Sequence, residues 1–305
     1  MQRSLKDLEG YSVRATDGEI GHVVDFLLDD THWAVRYLVV ETGGFFTGRR
    51  VLISPIAFRD VDWSTRQFHV ALTVEKVKGS PSVDTEKSVS RQHEHAYNMY
   101  YAYSPYWDFD PIWGGGIYPG QLAGAEWTDA PAERGDAPAG DAHLRSASEL
   151  RGYHVQGSDD AIGHVSDFIA DDASWGVRYL VVDTSNWGFG HHVLIAPHWA
   201  HRVSWDDQKV FVEMTRESIR NSPEWNGSEA VNREYEQRLY DYYGRPVYWG
   251  SDSHSRDMQP SPHSGGGDAI DANPPRTTTF GWFTAPKFGS AGSGGAELEP
   301  GPERD

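Results

Sequence analysis

The chain has no cysteine among its 305 residues, and this absence removes several kinds of chemistry at once. Disulfide frameworks, thiol catalysis and metal sites built on cysteine are excluded. Long apolar runs are also missing: the longest, such as residues 37–40, have the length of a strand and fall far short of a membrane span. The first residues show no apolar signal core. We therefore predict a soluble, cytoplasmic protein without a transmembrane segment.

Basic residues are scarce, with 27 Lys and Arg against 45 Asp and Glu, which gives a net charge of −18. No basic stripe is present that would neutralise phosphates, so we expect no direct nucleic-acid binding. The stretch 108–143 is strongly acidic and rich in Ala, Pro and Gly, a composition that cannot build a core. It is predicted to be a flexible linker, and 251–305 a disordered tail.

What the chain does have is the same pattern twice. Leu8 corresponds to Leu150, an offset of 142 residues, and the match continues without a gap to Trp107 and Trp249. A residue kept in both copies is more readily explained by the fold than by a single active site. The residues that we expect to define the fold are Gly10, Gly21, Asp25 and Arg36 in the first copy, and Gly152, Gly163, Asp167 and Arg178 in the second.

Each copy has the pattern of several short strands separated by turns, which is typical of a small barrel or sandwich. The alternation in 34–41 predicts a strand with one face buried and the other half covered. Helices are predicted after each copy, over 92–103 and 230–243, the second ending at Gly244. The predicted fold class is all-β: two small antiparallel β-barrels in tandem, each with a short C-terminal helical extension, plus the linker and the tail.

These patterns divide the chain into six segments. They are repeat 1 (1–81), helical extension 1 (82–107), the linker (108–143), repeat 2 (144–223), helical extension 2 (224–250) and the tail (251–305).

The repeated motifs resemble the PRC-barrel family. They are Leu-x-Gly-Tyr, Asp-Gly-x-Ile-Gly-x-Val-x-Asp-Phe, Val-Arg-Tyr-Leu-Val-Val and Val-Leu-Ile-x-Pro, with Asp159-Asp160 replacing Asp-Gly in the second copy. This β-barrel occurs in the cytoplasmic part of the photosynthetic reaction centre H subunit, in a ribosome maturation factor and in many stand-alone bacterial proteins, and the tandem arrangement looks like the last group. The resemblance covers about half of the chain and implies a non-enzymatic barrel that docks onto larger assemblies.

Several polar groups are candidates for a catalytic or metal site. His22 and Asp25 lie three residues apart, so on one strand they point to opposite faces and do not converge on a metal. The adjacent carboxylates of Asp29-Asp30 and of Asp171-Asp172 are better explained by turns than by acid–base chemistry. The histidines 191, 192, 198 and 201 are private to the second copy, and adventitious metal binding is the favoured interpretation. No catalytic residue, cofactor or functional metal is predicted.

Aromatic residues in loops are the preferred candidates for contacts with a partner. They are Phe45 and Phe46 in the first copy, Trp187 and Phe189 in the equivalent loop of the second, Trp33 and Trp175, and Trp282 in the tail. Packing over an open barrel end is the alternative for the loop residues. For Trp282 the alternative is a stray apolar patch.

The leading hypothesis is a bacterial adaptor that is not an enzyme. Its barrels would pair with each other or with another copy, and would bind protein partners of unknown identity. The alternative is an accessory role in photosynthetic reaction-centre or electron-transport complexes, which the H-subunit resemblance implies. Assistance in RNA processing is a less favoured third possibility.

Overall fold

A computed structural model describes residues 1–42, 48–81, 89–106, 113, 118–122, 142–185, 191–227 and 231–249 of the chain. The described residues all lie in one unit, Met1–Ser251. None of the helices within the described ranges is long and apolar enough to cross a membrane.

The seven strands of the second half correspond, in the same order, to the first seven strands of the first half. In the first half they are β1 (Gln2–Ser4), β2 (Ser12–Arg14), β3 (Glu19–Asp29), β4 (Ala34–Thr42), β5 (Arg50–Ile53), β6 (Phe58–Asp62), β7 (Gln67–Val70) and β8 (Val89–Ser90). In the second half they are β9 (Ala142–Ser146), β10 (His154–Gln156), β11 (Ala161–Asp171), β12 (Val177–Asp183), β13 (His192–Ile195), β14 (Ala200–Ser204) and β15 (Lys209–Val212).

The helices are short. They are α1 (Leu5–Leu8), α2 (Val74–Lys78), α3 (Arg91–Tyr101), α4 (Ala147–Leu150), α5 (Arg216–Arg220) and α6 (Arg233–Tyr243). The predicted helical extensions correspond to α3 and α6. Asn232 caps the start of α6 by accepting a hydrogen bond from the Tyr235 amide, and Gly244 ends the helix in the left-handed conformation with φ 61°.

Two glycines of the repeat are required by a close approach of neighbouring backbones. A Cβ atom at Gly21 would lie 2.0 Å from the carbonyl oxygen of Glu41, and one at Gly163 would lie 2.0 Å from that of Asp183. Because β3 must pair with β4, and β11 with β12, any side chain at these positions would push the two strands apart.

The two halves form two sheets of the same topology. The first follows the order β5-β4-β3-β2-β7-β6 and the second β13-β12-β11-β10-β15-β14. The expectation of purely antiparallel sheets is wrong at one place in each repeat, since β2 runs parallel to β7 and β10 runs parallel to β15. The parallel pair arises because β6 and β7 form their own hairpin, which then returns beside β2.

The expectation of closed barrels also needs correction, because the two ends of each sheet do not pair within the described residues. A 3-10 turn separates the end strands, at Pro55–Ala57 in the first repeat and Pro197–Trp199 in the second. Proline lacks an amide hydrogen and cannot extend the ladder at this point. Within the described part of the chain each repeat is therefore an open sheet, and the buried apolar residues of both repeats belong to one continuous core.

The strand that completes each sheet comes from the other repeat. We call residues 2–8 arm 1 and residues 144–150 arm 2. Arm 1 pairs with β11 of the second repeat, with Arg3 opposite Ala170. Arm 2 pairs with β3 of the first repeat, with Arg145 opposite Leu28. The repeats are therefore interlocked by a reciprocal exchange of strands.

The linker contributes to the core, contrary to the prediction that it could not. Trp113 is fully buried and its indole nitrogen donates a hydrogen bond to the Ser174 carbonyl oxygen at 2.6 Å. The ring lies 4.8 Å from the guanidinium carbon of Arg36. The composition of the linker did not predict this contact, because a single large aromatic side chain that packs against a cation can be buried even when its segment is mostly polar.

Candidate interaction surface

The contact between the repeats follows a local two-fold relation. Ala34 and Gly176, which are equivalent positions at the offset of 142, face each other in an antiparallel bridge. The Val35 amide donates to the Trp175 carbonyl at 2.8 Å, and the Val177 amide donates to the Trp33 carbonyl at 2.7 Å. Each repeat therefore offers the same backbone segment to the other, as in an isologous dimer interface.

The two tryptophans at this contact differ in their surroundings. Trp175 is 3% exposed, and its ring packs against Phe58 and Phe68 of the first repeat at centroid distances of 5.1 and 5.9 Å. Trp33 is only partly buried. The positions equivalent to Phe58 and Phe68 in the second repeat are Ala200 and Val210, so no aromatic rings are available there. Trp175 is thus committed to the contact between the repeats.

The repeated aspartates hold the exchanged arms. Asp167 accepts hydrogen bonds from the Ser4 hydroxyl and from the Lys6 amide, the latter at 3.1 Å. Asp25 does the same for arm 2, accepting from the Ser146 hydroxyl and from the Ser148 amide at 3.0 Å. Burial raises the pKa of Asp167, and the hydrogen bonds from arm 1 oppose that effect.

Left-handed glycines turn the chain out of each arm. Gly10 has φ 80° and Gly152 has φ 99°, and each lies two residues after the end of an arm. This backbone conformation is readily adopted only by glycine. The repeated glycine therefore allows the chain to turn from arm 1 into β2 and from arm 2 into β10.

An arginine of each arm reaches across to the turn of the other repeat. The Arg3 Nε atom lies 3.2 Å from an Asp172 oxygen, while its guanidinium carbon lies 4.0 Å from the Trp63 ring. Arg145 repeats this arrangement with Asp30 at 3.4 Å and with the Trp205 ring at 4.3 Å. The second aspartate of each Asp-Asp pair is thus engaged with an arm.

The first aspartate of each pair caps its own turn. Asp29 accepts from the amides of Thr31 and His32 at 2.8 and 3.2 Å, and from the Arg36 guanidinium at 2.7 Å. Burial alone would raise the pKa of Asp29, but Arg36 and the two amides lower it to about 2. Asp171 likewise accepts from the Ser174 amide at 2.8 Å.

Arg36 and Arg178 lie beneath aromatic rings. The guanidinium carbon of Arg36 is 3.6 Å from the centre of the Tyr106 ring, and that of Arg178 is 4.4 Å from the centre of the Tyr248 ring. Arg36 is buried in the core. These contacts hold Tyr106 and Tyr248 against the sheets of their own repeats.

A buried glutamate in each extension supports the same contacts. The Tyr106 hydroxyl donates to Glu94 at 2.5 Å, and the hydroxyls of Tyr179 and Tyr248 donate to Glu236 at 2.8 Å. Burial and the adjacent carboxylate raise the pKa of Tyr179 far above its usual value. Neither glutamate was predicted from the sequence, although Glu94 and Glu236 occupy equivalent positions in the two helices.

The histidines of the second repeat are dispersed. His192 lies in β13, His201 lies beside the Phe211 ring at 6.2 Å, and His198 packs against Tyr240 at 6.5 Å. Burial lowers the pKa of His198, and nearby arginines add to the effect. Over the described ranges of the chain, no three His, Asp or Glu side chains form a group that could hold a metal ion.

One groove opens beside the first repeat. Its volume is about 380 Å³, and its walls come from three parts of the chain: the region 55–63, the linker residues 118–120 and the turn 172–175 of the second repeat. Aromatic rings of Phe58, Trp63 and Tyr118 line it, with Arg59 and Asp60 also present. Tyr118 is 51% exposed. The groove therefore combines one exposed ring, that of Tyr118, and two partly buried rings, those of Phe58 and Trp63, with polar groups.

The remaining predicted contact residues cannot be placed. Phe45, Phe46, Trp187, Phe189 and Trp282 lie outside the described residues.

Comparison with protein families agrees with the duplicated architecture. The profile of the PRC-barrel domain matches residues 1–73 and 143–219, which places one domain in each half. The chain belongs to the PRC-barrel family. Both matches include the exchanged arm of their own half, so the arm is part of the PRC-barrel sequence pattern although it completes the other sheet. A sequence comparison with curated proteins found no significant match.

The exchanged arms and the groove are the features that sequence reasoning overlooked. One signal was available for the arms, since Arg3-Ser4 and Arg145-Ser146 have the same offset as the rest of the PRC-barrel repeat. The groove had no such signal, because Tyr118 belongs to the linker and has no relation to Trp63 in the sequence.

Proposed function

We propose that this protein is a non-enzymatic, cytoplasmic adaptor whose two interlocked PRC-barrel repeats bind a protein partner through the groove of the first repeat. PRC-barrel domains are known as protein-interaction modules. The observation that carries the proposal is the groove itself, with Trp63 and Tyr118 on its walls and charged residues beside them.

The composition of the groove matches what a partner's side chains require. Interface centres are enriched in aromatic residues, and polar rims surround them. A volume of about 380 Å³ is at the lower end of the roughly 300–1,000 Å³ of small-molecule pockets. It accommodates one or two apolar side chains of a partner, with Arg59 beside them for polar contacts, while the Asp60 carboxylate is paired with the His69 ring at 2.7 Å.

The aromatic loop residues are further proposed contacts with the partner. Phe45 and Phe46 belong to the loop of the first repeat that is equivalent to the loop of Trp187 and Phe189 in the second. A chain with two related binding segments would favour a partner that is itself two-fold or repetitive. Trp282 of the tail is a further proposed contact with the partner.

The use of the carboxylates supports a binding role over catalysis. Asp25 and Asp167 hold the arms, while Asp29 is neutralised by Arg36 in the interior. General acid–base chemistry needs a carboxylate that can reach a substrate and exchange a proton near neutral pH. These aspartates are occupied by internal hydrogen bonds instead.

The test is affinity purification from the native host, followed by mass spectrometry. The full chain is compared with a Trp63→Ala/Tyr118→Ala variant and with a Phe45→Ala/Trp187→Ala variant. A protein recovered with the wild type and reduced at least tenfold with the first variant is expected. Met99→Ala, at a side chain that is 62% exposed, is the control and should change nothing. Equal recovery with the wild type and both variants would refute the proposal.

A further inference from the structure

Residues close to the local two-fold axis meet their own counterparts from the other repeat. Ala34 facing Gly176 is one example, and Glu9 facing Arg151 is another, since 9 and 151 differ by the same 142 positions. In a pairing of two identical repeats, each of these positions would instead face itself. The identity of the residue at such a position therefore decides which pairings are tolerated.

Glu9 and Arg151 form a salt bridge between the repeats. Their side chains are 29% and 17% exposed, so the pair is largely shielded from water. If repeat 1 paired with repeat 1 of a second copy, two glutamates would meet at this place. If repeat 2 paired with repeat 2, two arginines would meet. Like charges at partly buried positions repel more strongly than they do in open solvent.

The neighbouring carboxylates make the pairing of two copies of repeat 1 less favourable than the pairing of two copies of repeat 2. Burial raises the pKa of Asp167, and the Arg151 guanidinium counteracts that rise, which places this cation near the arm-binding aspartate of its own repeat. Asp25 occupies the equivalent position in the first repeat, where residue 9 is a glutamate. Two copies of repeat 1 would bring together four carboxylates, whereas two copies of repeat 2 would combine two arginines with two aspartates.

We propose that the Glu9–Arg151 contact is the specificity determinant of the interlocked interface: it makes repeat 1 accept repeat 2 and reject the same repeat of a second copy of this chain. The backbone contacts at the axis do not discriminate, because Val35 and Val177 make the same hydrogen bond. The opposite charges of Glu9 and Arg151 supply a discrimination that these backbone hydrogen bonds lack, and they act beside the one-sided packing of Trp175 on Phe58 and Phe68.

The test uses the full chain and its lack of native cysteine. Ala34→Cys is introduced as a reporter, since a pairing of like repeats brings the two introduced cysteines at position 34 face to face. This reporter is combined separately with Glu9→Arg and with Arg151→Glu. Within either variant the repeats meet with like charges. In an equimolar mixture, repeat 1 of one chain carries arginine at position 9 and repeat 1 of the other carries glutamate, so they complement each other.

After mild oxidation, we expect the mixture to give at least tenfold more cross-linked dimer than either variant alone. The wild-type chain with the reporter should give only background dimer. The same holds for the chain that combines Glu9→Arg with Arg151→Glu, because its own repeats are complementary again. This last chain also shows whether both substitutions are compatible with folding.

A matched control reverses an exposed pair between the second repeat and its helical extension, Glu213 and Arg245, which are 4.0 Å apart. Mixing Glu213→Arg with Arg245→Glu changes the net charges in the same way but should leave the dimer at background. If the Glu9→Arg and Arg151→Glu mixture gives no more dimer than the wild-type reporter chain, then the charge pair does not determine the pairing, and the proposal is wrong.

Discussion

Replacing Trp175 with alanine should lower the free energy of unfolding, because it removes a large contact between the two repeats. The ring is 3% exposed and comes from the second repeat, but its partners Phe58 and Phe68 belong to the first. Truncation of a buried tryptophan costs about 3–5 kcal/mol, a large fraction of the roughly 5–15 kcal/mol that stabilises a typical domain. For a unit of this size the melting temperature should fall by roughly 6–20 °C.

The repeat provides a control of identical chemistry. Trp33 occupies the equivalent position, and its backbone has nearly the same left-handed conformation, with φ 51° against 56° for Trp175. It is only partly buried, so Trp33→Ala should cost about 1–2 kcal/mol. The free energy of unfolding is measured by urea denaturation monitored by circular dichroism. An equal or larger loss for Trp33→Ala would refute the argument that Trp175 alone is committed to the contact between the repeats.

Three further predictions concern the interior, the strand contact and the arms. Because the pKa of Asp29 is lowered from 3.8 to about 2, this carboxylate stabilises the fold above pH 4, and its contribution is lost as the pH falls from 3.8 to about 2. Over this range the free energy of unfolding, measured by urea denaturation, should fall by about 2 kcal/mol more for the wild type than for Asp29→Asn. Gly21→Ala should abolish the folded circular dichroism spectrum, because its Cβ would overlap the Glu41 carbonyl, whereas Gly120→Ala has open space and should fold normally. Cleavage at a protease site inserted between residues 123 and 141 should leave one particle in size-exclusion chromatography, since the arms cross between the halves; separation without denaturant would contradict the exchange.

Much of the local structure could be predicted from the sequence. The long apolar stretches became β3, β4, β11 and β12, and the helices after each repeat were found from their spacing and from Gly244. These features depend on neighbouring residues along the chain, so a single sequence contains the necessary information. The duplication added a second, independent view of each element.

The groove and the buried cluster around Arg36 could not be predicted in the same way. Trp113 lies in a segment whose composition is that of a linker, yet it is buried over a cation that is supplied by β4. Tyr118 joins Trp63 only because the linker passes beside the first repeat. Such contacts depend on where distant segments meet, which composition and periodicity do not report.

The repeated pattern of residues is enough to show that this protein contains two copies of one β-rich unit, where most of their strands lie, and which glycines those strands require. That each copy gives its first strand to the other becomes visible only in the folded chain. Arm 1 and arm 2 are short, and a strand joins a sheet edge through backbone amides and carbonyls that are the same in every residue. The choice between the two edges therefore depends on the side chains that meet there, Ser4 with Asp167 and Ser146 with Asp25, and those meetings exist only in the folded chain.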